Sequence, residues 1–187
     1  SPERLLALDA RVVIYPKDTT EDKLSKPAIR PYPNQYTADW ALKDGTKVTI
    51  RPIRPEDEPQ MVKFHETLSE ESVYYRYFSQ MKLDQRIAHE RLTRICFNDY
   101  DREIALVTEL KDSGAAKGAI IGVGRLSKAR GLNEAEFALI VSDRFQRKGL
   151  GTELLKRLVQ IAKDEKLERI AAGILAENHG MHQVSKK

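Results

Sequence analysis

The chain has 187 residues, of which 41% are hydrophobic and 32% charged. That length suits one domain of the usual size, about 150 residues, with an extension, and the composition excludes wholesale disorder. Lys and Arg number 32 against 28 Asp and Glu, and the net charge of +4 is too slight to argue for a nucleic-acid partner. No apolar run reaches the roughly 18 residues of a membrane span, and no signal-peptide pattern opens the chain. The single cysteine, Cys96, excludes an intrachain disulfide framework and fits a reducing cytoplasm. In "RLTRICFND" it reads as a buried helix residue rather than a nucleophile.

The first forty residues differ in texture from the rest. "ERLLALDARVVI" reads as a strand-like end of something, followed by a charged segment with Pro16, Pro27, Pro31 and Pro33, the composition of an extended linker. Regular patterning begins near Trp40. "KVTIRPI" (47–53) alternates polar and apolar residues, as a strand does. "RPEDEPQMVKFHETL" predicts a first helix, with Pro55 near its start and acidic residues in its first turn. "SEESVYYRYFSQ" predicts a second, short helix. "DQRIAHERLTRICF" predicts a third, with Asp84 as N-cap and Ile87, Leu92, Ile95 and Cys96 near one face. The period then changes to two: 102–111, 117–128 and 134–142 read as strands separated by hairpin-length turns. "GVG" at 122–124 lies inside a strand pattern and reads as a bulge or close packing. A helix from about 149 to 166 stacks Leu150, Leu154, Leu158 and Ala162 at steps of four. A fifth strand at 168–176 and a last helix opened by "NHGMHQVSKK" complete a mixed α/β domain with one βαβ unit near its end.

Gly149 and Gly151 stand where that helix should start, and glycine costs roughly 1 kcal/mol there against alanine. The first N–H groups of a helix lack intrahelical partners, and the macrodipole adds partial positive charge. Bare backbone lets a large anion approach them, so residues 146–152 read as a pyrophosphate cradle; the alternative is a tight turn with no ligand. The stretch is neither a G-x-x-x-x-G-K-[ST] loop nor a complete dinucleotide fingerprint.

Gln146-Arg147-Lys148-Gly149-Leu150-Gly151 resembles the Q/R-x-x-G-x-G/A motif of the GNAT superfamily of N-acetyltransferases. Its setting fits as well: an apolar strand before it, an amphipathic helix and a strand after it, then "AENHGM" opening another helix. More closely, "SVYYRYFS", "DREIALV" and "AEFALIVSDRFQRKGLG" look like the acetyltransferase domain of bacterial Pat-type protein lysine acetyltransferases. There the domain is fused to an NDP-forming acyl-CoA synthetase-like region. The resemblance covers about residues 45–187, and "ALDARVVI" with "PAIRPYP" looks like the end of that upstream ATP-grasp module and its linker. The division it implies is 1–16 upstream region, 17–44 linker and 45–187 GNAT domain, without the two final strands of the fold. The implied fold is α/β (α+β), a mostly antiparallel mixed sheet splayed between its fourth and fifth strands and flanked by helices.

The resemblance implies acetyl-CoA as co-substrate and no metal. Backbone of Leu139, Ile140 and Val141 would meet the pantetheine arm, and Gln146, Arg147, Lys148, Gly149, Leu150, Gly151 and Thr152 would hold the pyrophosphate. Asn178 matches a cofactor-contacting position and also reads as a helix N-cap. His179 and His182, three apart, find no third metal ligand in the sequence. "YYRYF" at 74–78 has aromatics that base stacking would use, but their helical spacing favours core packing and the rim of an acceptor site.

The amine poses the chemical problem. A lysine of pKa about 10.4 is neutral about once in 2,500 molecules at pH 7, so a general base is needed. The similar position in Pat-type enzymes carries the catalytic glutamate, which here is Glu136, between apolar Ala135 and Phe137, where partial burial would raise its pKa. Glu134, on the same strand face, is the reserve and Glu103 the third candidate. No general acid is assigned, because no tyrosine follows Tyr100. The expected function is direct acetyl transfer to protein lysines in a cytoplasmic ternary complex. The expected partners are a substrate such as an acyl-CoA synthetase and the upstream synthetase-like region, with no nucleic acid and no membrane. Acetylation of a small amine or free amino acid, and a non-catalytic acyl-CoA-sensing module, are the alternatives.

Overall fold

A computed structural model describes residues 12–20, 30–111, 118–129 and 131–186. In chain order its regular elements are β1 (Ala38–Ala41), β2 (Lys47–Pro52), α1 (Glu58–Glu66), α2 (Glu70–Tyr77), α3 (Leu83–Ile87) and α4 (His89–Cys96). Then come β3 (Glu103–Leu110), β4 (Ile120–Lys128), β5 (Glu134–Val141), α5 (Leu150–Asp164), β6 (Arg169–Ala171) and α6 (His179–Ser185). The six strands form one sheet in sequence order, antiparallel from β1 to β5, with β6 parallel to β5. Alternation sorts the strand side chains onto its two faces. Ile50, Leu106, Ala135 and Phe137 join Leu150, Leu154 and Leu158 of α5 on one face. Ala105, Val107, Val123 and Ile140 join Phe64, Val73, Leu92 and Cys96 of α1, α2 and α4 on the other.

The sheet thus matches the expected mixed fold, with four differences in detail. Residues 38–41, inside the stretch expected as linker, form β1 and pair with 47–50. Residues 12–14, the described part of the strand-like start, form no strand, and residues 1–11 lie outside the described residues. The third helix is two helices, because Ala88 takes an extended ψ of 129° between α3 and α4. Asp84 accordingly sits inside α3, whose N-cap is Lys82. The last strand is three residues long rather than nine, since the chain leaves β5 after Ala171. The "GVG" glycines are close packing: a Cβ on Gly122 would stand 3.0 Å from Leu150, and one on Gly124 3.1 Å from Leu139. Cys96 is fully buried and its thiol is pushed up to about 12, chiefly by that burial.

Arg51, on β2, fixes the entry to the helical face. It donates bidentately to buried Asp57 at 2.7 and 2.7 Å and through Nε to Glu109 on β3 at 2.9 Å. Asp57 also accepts from the N–H of Arg54, so α1 leaves the sheet at a set angle.

His65, on α1, is 1% exposed. Burial first, then the charges of Arg86, Arg91 and Arg76, push its imidazole down to about 4. An unfolded histidine titrates near 6.5, so between these values the unfolded chain binds the extra proton. Stability is therefore full above pH 6.5 and falls as pH drops toward 4, by up to about 3 kcal/mol. Urea unfolding at stepped pH should show this slope, and His65→Leu should flatten it; an unchanged slope in the variant would assign the effect to another group.

Candidate active site

β5 is paired with β4 along its whole length but with β6 only over Glu134–Glu136. From Phe137 to Val141 its outer edge faces a cleft of about 760 Å³, whose far wall is Ala172–Ile174 and α6. The antiparallel ladder decides which backbone groups face it. Ala129 donates to Glu134 and Ser142 to Ile121, so even-numbered residues of β5 form the hydrogen-bonded pairs with β4. The N–H and C=O of Phe137, Leu139 and Val141 therefore point into the cleft. Ile140, expected among them, spends its own backbone groups on Val123 and contributes its buried side chain instead.

At the head of the cleft the chain turns through Arg147 and Gly149, with φ of 59° and 88°, into α5. Gly149 is its N-cap, and the first helical bond runs from Glu153 N–H to Gly149 C=O at 3.1 Å. No N–H from Arg147 to Thr152 meets an acceptor among the described residues. Gly149 is needed for its positive φ. Gly151 is not: it lies inside the helix, and the nearest atom to an added Cβ would be Val184 at 3.7 Å. Nothing within the fold uses its bareness, whereas an anion approaching the helix start would.

Gln146, read as a cofactor residue, holds the loop in place. Its amide donates to the Val141 carbonyl at 3.1 Å and to Ser72 Oγ at 2.9 Å. Asp143 accepts from the N–H and Oγ of Ser69, at 2.9 and 2.7 Å, and from Ser72 Oγ at 2.9 Å. Partial burial opposes its charge, but these hydrogen bonds outweigh it and hold the carboxyl below its usual range. The start of α2 is thus tied to the loop that leads into α5. Asn178 caps α6, accepting from Met181 N–H at 3.0 Å, and lines the cleft. Lys148 pairs with Asp44 at 2.9 Å, so its charge is partly spent within the fold, while Arg147 lines the cleft.

The three carboxylates separate clearly. Glu134 is paired with Arg169 across β5 and β6 at 2.6 Å, and Glu103 with Arg125 at 2.7 Å. Glu136 lines the cleft and forms no hydrogen bond or ion pair among the described residues. Its side chain is exposed, so the partial burial expected for it is absent: it stands on the α2 side of β5, where Ala138 leaves room.

Sequence reasoning missed the lining group Lys43. Lys43, in the β1–β2 turn, packs on Gly149 and donates its N–H to the Lys148 carbonyl at 3.1 Å. Tyr75 and Arg76, in the "YYRYF" segment read as core packing and acceptor rim, line the cleft from α2, three and four residues beyond Ser72 on the same helix face. Tyr75 OH donates to Glu71 at 3.0 Å, and that bond, with desolvation, raises its pKa. A phenol thus enters from α2 rather than from beyond Tyr100. His182 Nε2 lies 3.1 Å from the Leu175 carbonyl, and no three potential metal ligands cluster among the described residues.

Parting strands, cleft-facing backbone and a bare helix start together form a site for a long, phosphate-ended co-substrate, as in an acyl-group transferase. Residues 47–187 match the Acetyltransferase (GNAT) domain, and the chain belongs to this family of acetyltransferases, whose domains use acetyl-CoA. Acetyltransferase PA5475 of Pseudomonas aeruginosa is 25% identical over 144 residues, 77% of this chain and 75% of the relative. The GNAT domain of S. lividans PAT has a TM-score of 0.74 at 28% identity, covering 83% of this chain and 88% of that one. Mycobacterium smegmatis RimJ, solved with CoA-disulfide, shares the fold at TM-score 0.62 and 18% identity, over 80% and 72% of the two chains. No helix among the described residues is long and apolar enough to cross a membrane.

Gly151→Asp should leave the protein folded with an unchanged or higher Tm, because its Cβ has room. The same change should abolish acetyl-CoA binding in calorimetry by setting a carboxylate against the phosphates. Wild-type affinity in the folded variant would remove the cradle.

Proposed function

We propose that this GNAT domain acetylates the ε-amino group of lysines on folded proteins, acyl-CoA synthetases among them, by direct transfer in a ternary complex. The observation that carries the reading is Glu136: an exposed carboxylate lining the cleft with no hydrogen bond or ion pair among the described residues, where an outside surface can present an amine. Lysine, with its long flexible stem, is the protein side chain suited to reach it. The sequence's resemblance to Pat-type protein lysine acetyltransferases and its likeness to the GNAT domain of S. lividans PAT support the reading.

Bound acetyl-CoA supplies an activated acetyl thioester. The free N–H groups from Arg147 to Thr152 hold its pyrophosphate, with charge added by Arg147. The backbone of Leu139 and Val141 meets the amides of its arm, the Val141 carbonyl being shared with Gln146. Asn178, whose Oδ1 is used in capping, keeps its amide N–H groups for the same ligand. Glu136 takes the proton from the acceptor ammonium, directly or through one water. An acceptor docked over the cleft covers Glu136 and supplies the desolvation that the free domain lacks. Tyr75, the phenol that lines the cleft, is our choice of general acid to protonate the departing thiolate.

Two measurements test this. With acetyl-CoA saturating, a folded acyl-CoA synthetase should exceed free lysine in kcat/KM by orders of magnitude, with acetyl-lysines mapped by mass spectrometry. Equal values would transfer the reading to a small amine. Glu136→Gln should keep acetyl-CoA affinity and lose roughly 10²–10⁴ in transfer rate, partly recovered at high pH where neutral amine is abundant. A loss with weaker cofactor binding and no alkaline recovery would make Glu136 structural.

A further inference from the structure

On the helical face of the sheet a second cavity, of about 340 Å³, adjoins the cleft, and Arg76, Ala138 and Ile140 line both. Four arginines line it, from three elements: Arg76 on α2, Arg91 and Arg94 on α4, and Arg125 on β4. The one carboxylate among the lining residues is Glu90. Arg125 is matched by Glu103. The side chains of Arg76, Arg91 and Arg94 form no hydrogen bond or ion pair among the described residues. Two of them flank the Tyr77 ring, with Arg76 at 5.1 Å and Arg91 at 5.0 Å from its centroid. The Nε of Arg91 is buried without an acceptor. Both ring nitrogens of His65, which also lines the cavity at 1% exposure, are likewise buried without a partner, and one of them carries an N–H in the neutral ring.

Buried donors in native proteins are almost always paired, and a cluster of them around one cavity calls for an acceptor from outside. Guanidinium groups are planar donor forks suited to carboxylates, and their mutual repulsion is relieved by one. Burial and the neighbouring charges of Arg125 and Arg91 oppose the charge of Arg76, offset in part by Tyr77 and Glu136. The two sites together are bipolar. A free carboxylate, Glu136, faces the amine position, and unpaired arginines lie behind the shared wall.

We propose that this cavity is an anion subsite for the acceptor: it takes a carboxylate carried beside the reacting amine, which in a protein is an Asp or Glu flanking the target lysine. The inference rests on the lysine-transfer reading above, since the wall shared at Arg76 is its link to the reaction.

The test compares two peptides identical except for Glu or Gln next to a single lysine. Wild type should prefer the Glu peptide at least tenfold in kcat/KM. Arg91→Gln should erase most of that preference by raising KM for the Glu peptide alone, with Tm not lowered. Equal use of both peptides by wild type, or equal losses on both in the variant, overturns the subsite. If neither peptide is acetylated, the lysine reading has failed, and glutarate binding to CoA-saturated protein then decides the subsite by calorimetry. Glutarate binding that Arg91→Gln abolishes keeps it; no binding, or binding unaffected by the substitution, removes it.

Discussion

A strand paired along one edge and bare along half of the other has backbone donors and acceptors that must find partners elsewhere. That condition at Phe137–Val141 organises this molecule. β5 cannot give up β4, whose glycines let α5 pack against the sheet, so the opening has to occur on the β6 side. Once β6 turns away after Ala171, the bare edge, the helix start and the α6 wall enclose one continuous cleft. The ladder's parity then fixes which backbone groups serve a ligand. This leaves little to side-chain identity, and a pattern of strands and glycines is correspondingly a better guide to the site than any one polar residue.

The cleft's two walls are not independent. Asp143 and Gln146 follow β5, yet their partners Ser69 and Ser72 open α2, more than seventy residues earlier. Each bond is exposed and individually modest, but they share atoms and act as one knot. The helix that carries Tyr75 and Arg76 is thereby registered against the loop that leads into α5. Under the proposed reading, positioning of acceptor and of co-substrate become a single problem, which suits a transfer without a covalent enzyme intermediate.

Much of this was legible in the sequence, for definite physical reasons. Strands with one face to each core alternate, and α5 stacks its leucines at helical spacing, so their burial is written into periodicity. Gly151 was legible because it breaks helix propensity without a structural need. The break at Ala88 was not, since apolar periodicity carries across it from Ile87 to Leu92 and only the backbone changes. "ADWA" has no buried face, so β1 leaves no alternation to read. Glu134 and Glu136 were placed on one face correctly. What separates them is Arg169, 35 residues from Glu134 in sequence, and pairing at that range has no local signal. The arginine cavity was invisible for the same reason.

β1 is four residues long and easily taken for linker, yet it covers the outer edge of β2, where Val48 and Ile50 are fully buried. A long apolar edge strand left open invites pairing with another chain, whereas a short one bearing a charge discourages it. The Asp39 and Lys111 ion pair sets charge along that outermost strand. β1 therefore closes the open edge of β2, and its turn also carries Lys43 to Gly149. Any dissection of the protein beginning at residue 45 would remove both at once, and a loss of solubility would then be mistaken for a loss of catalysis.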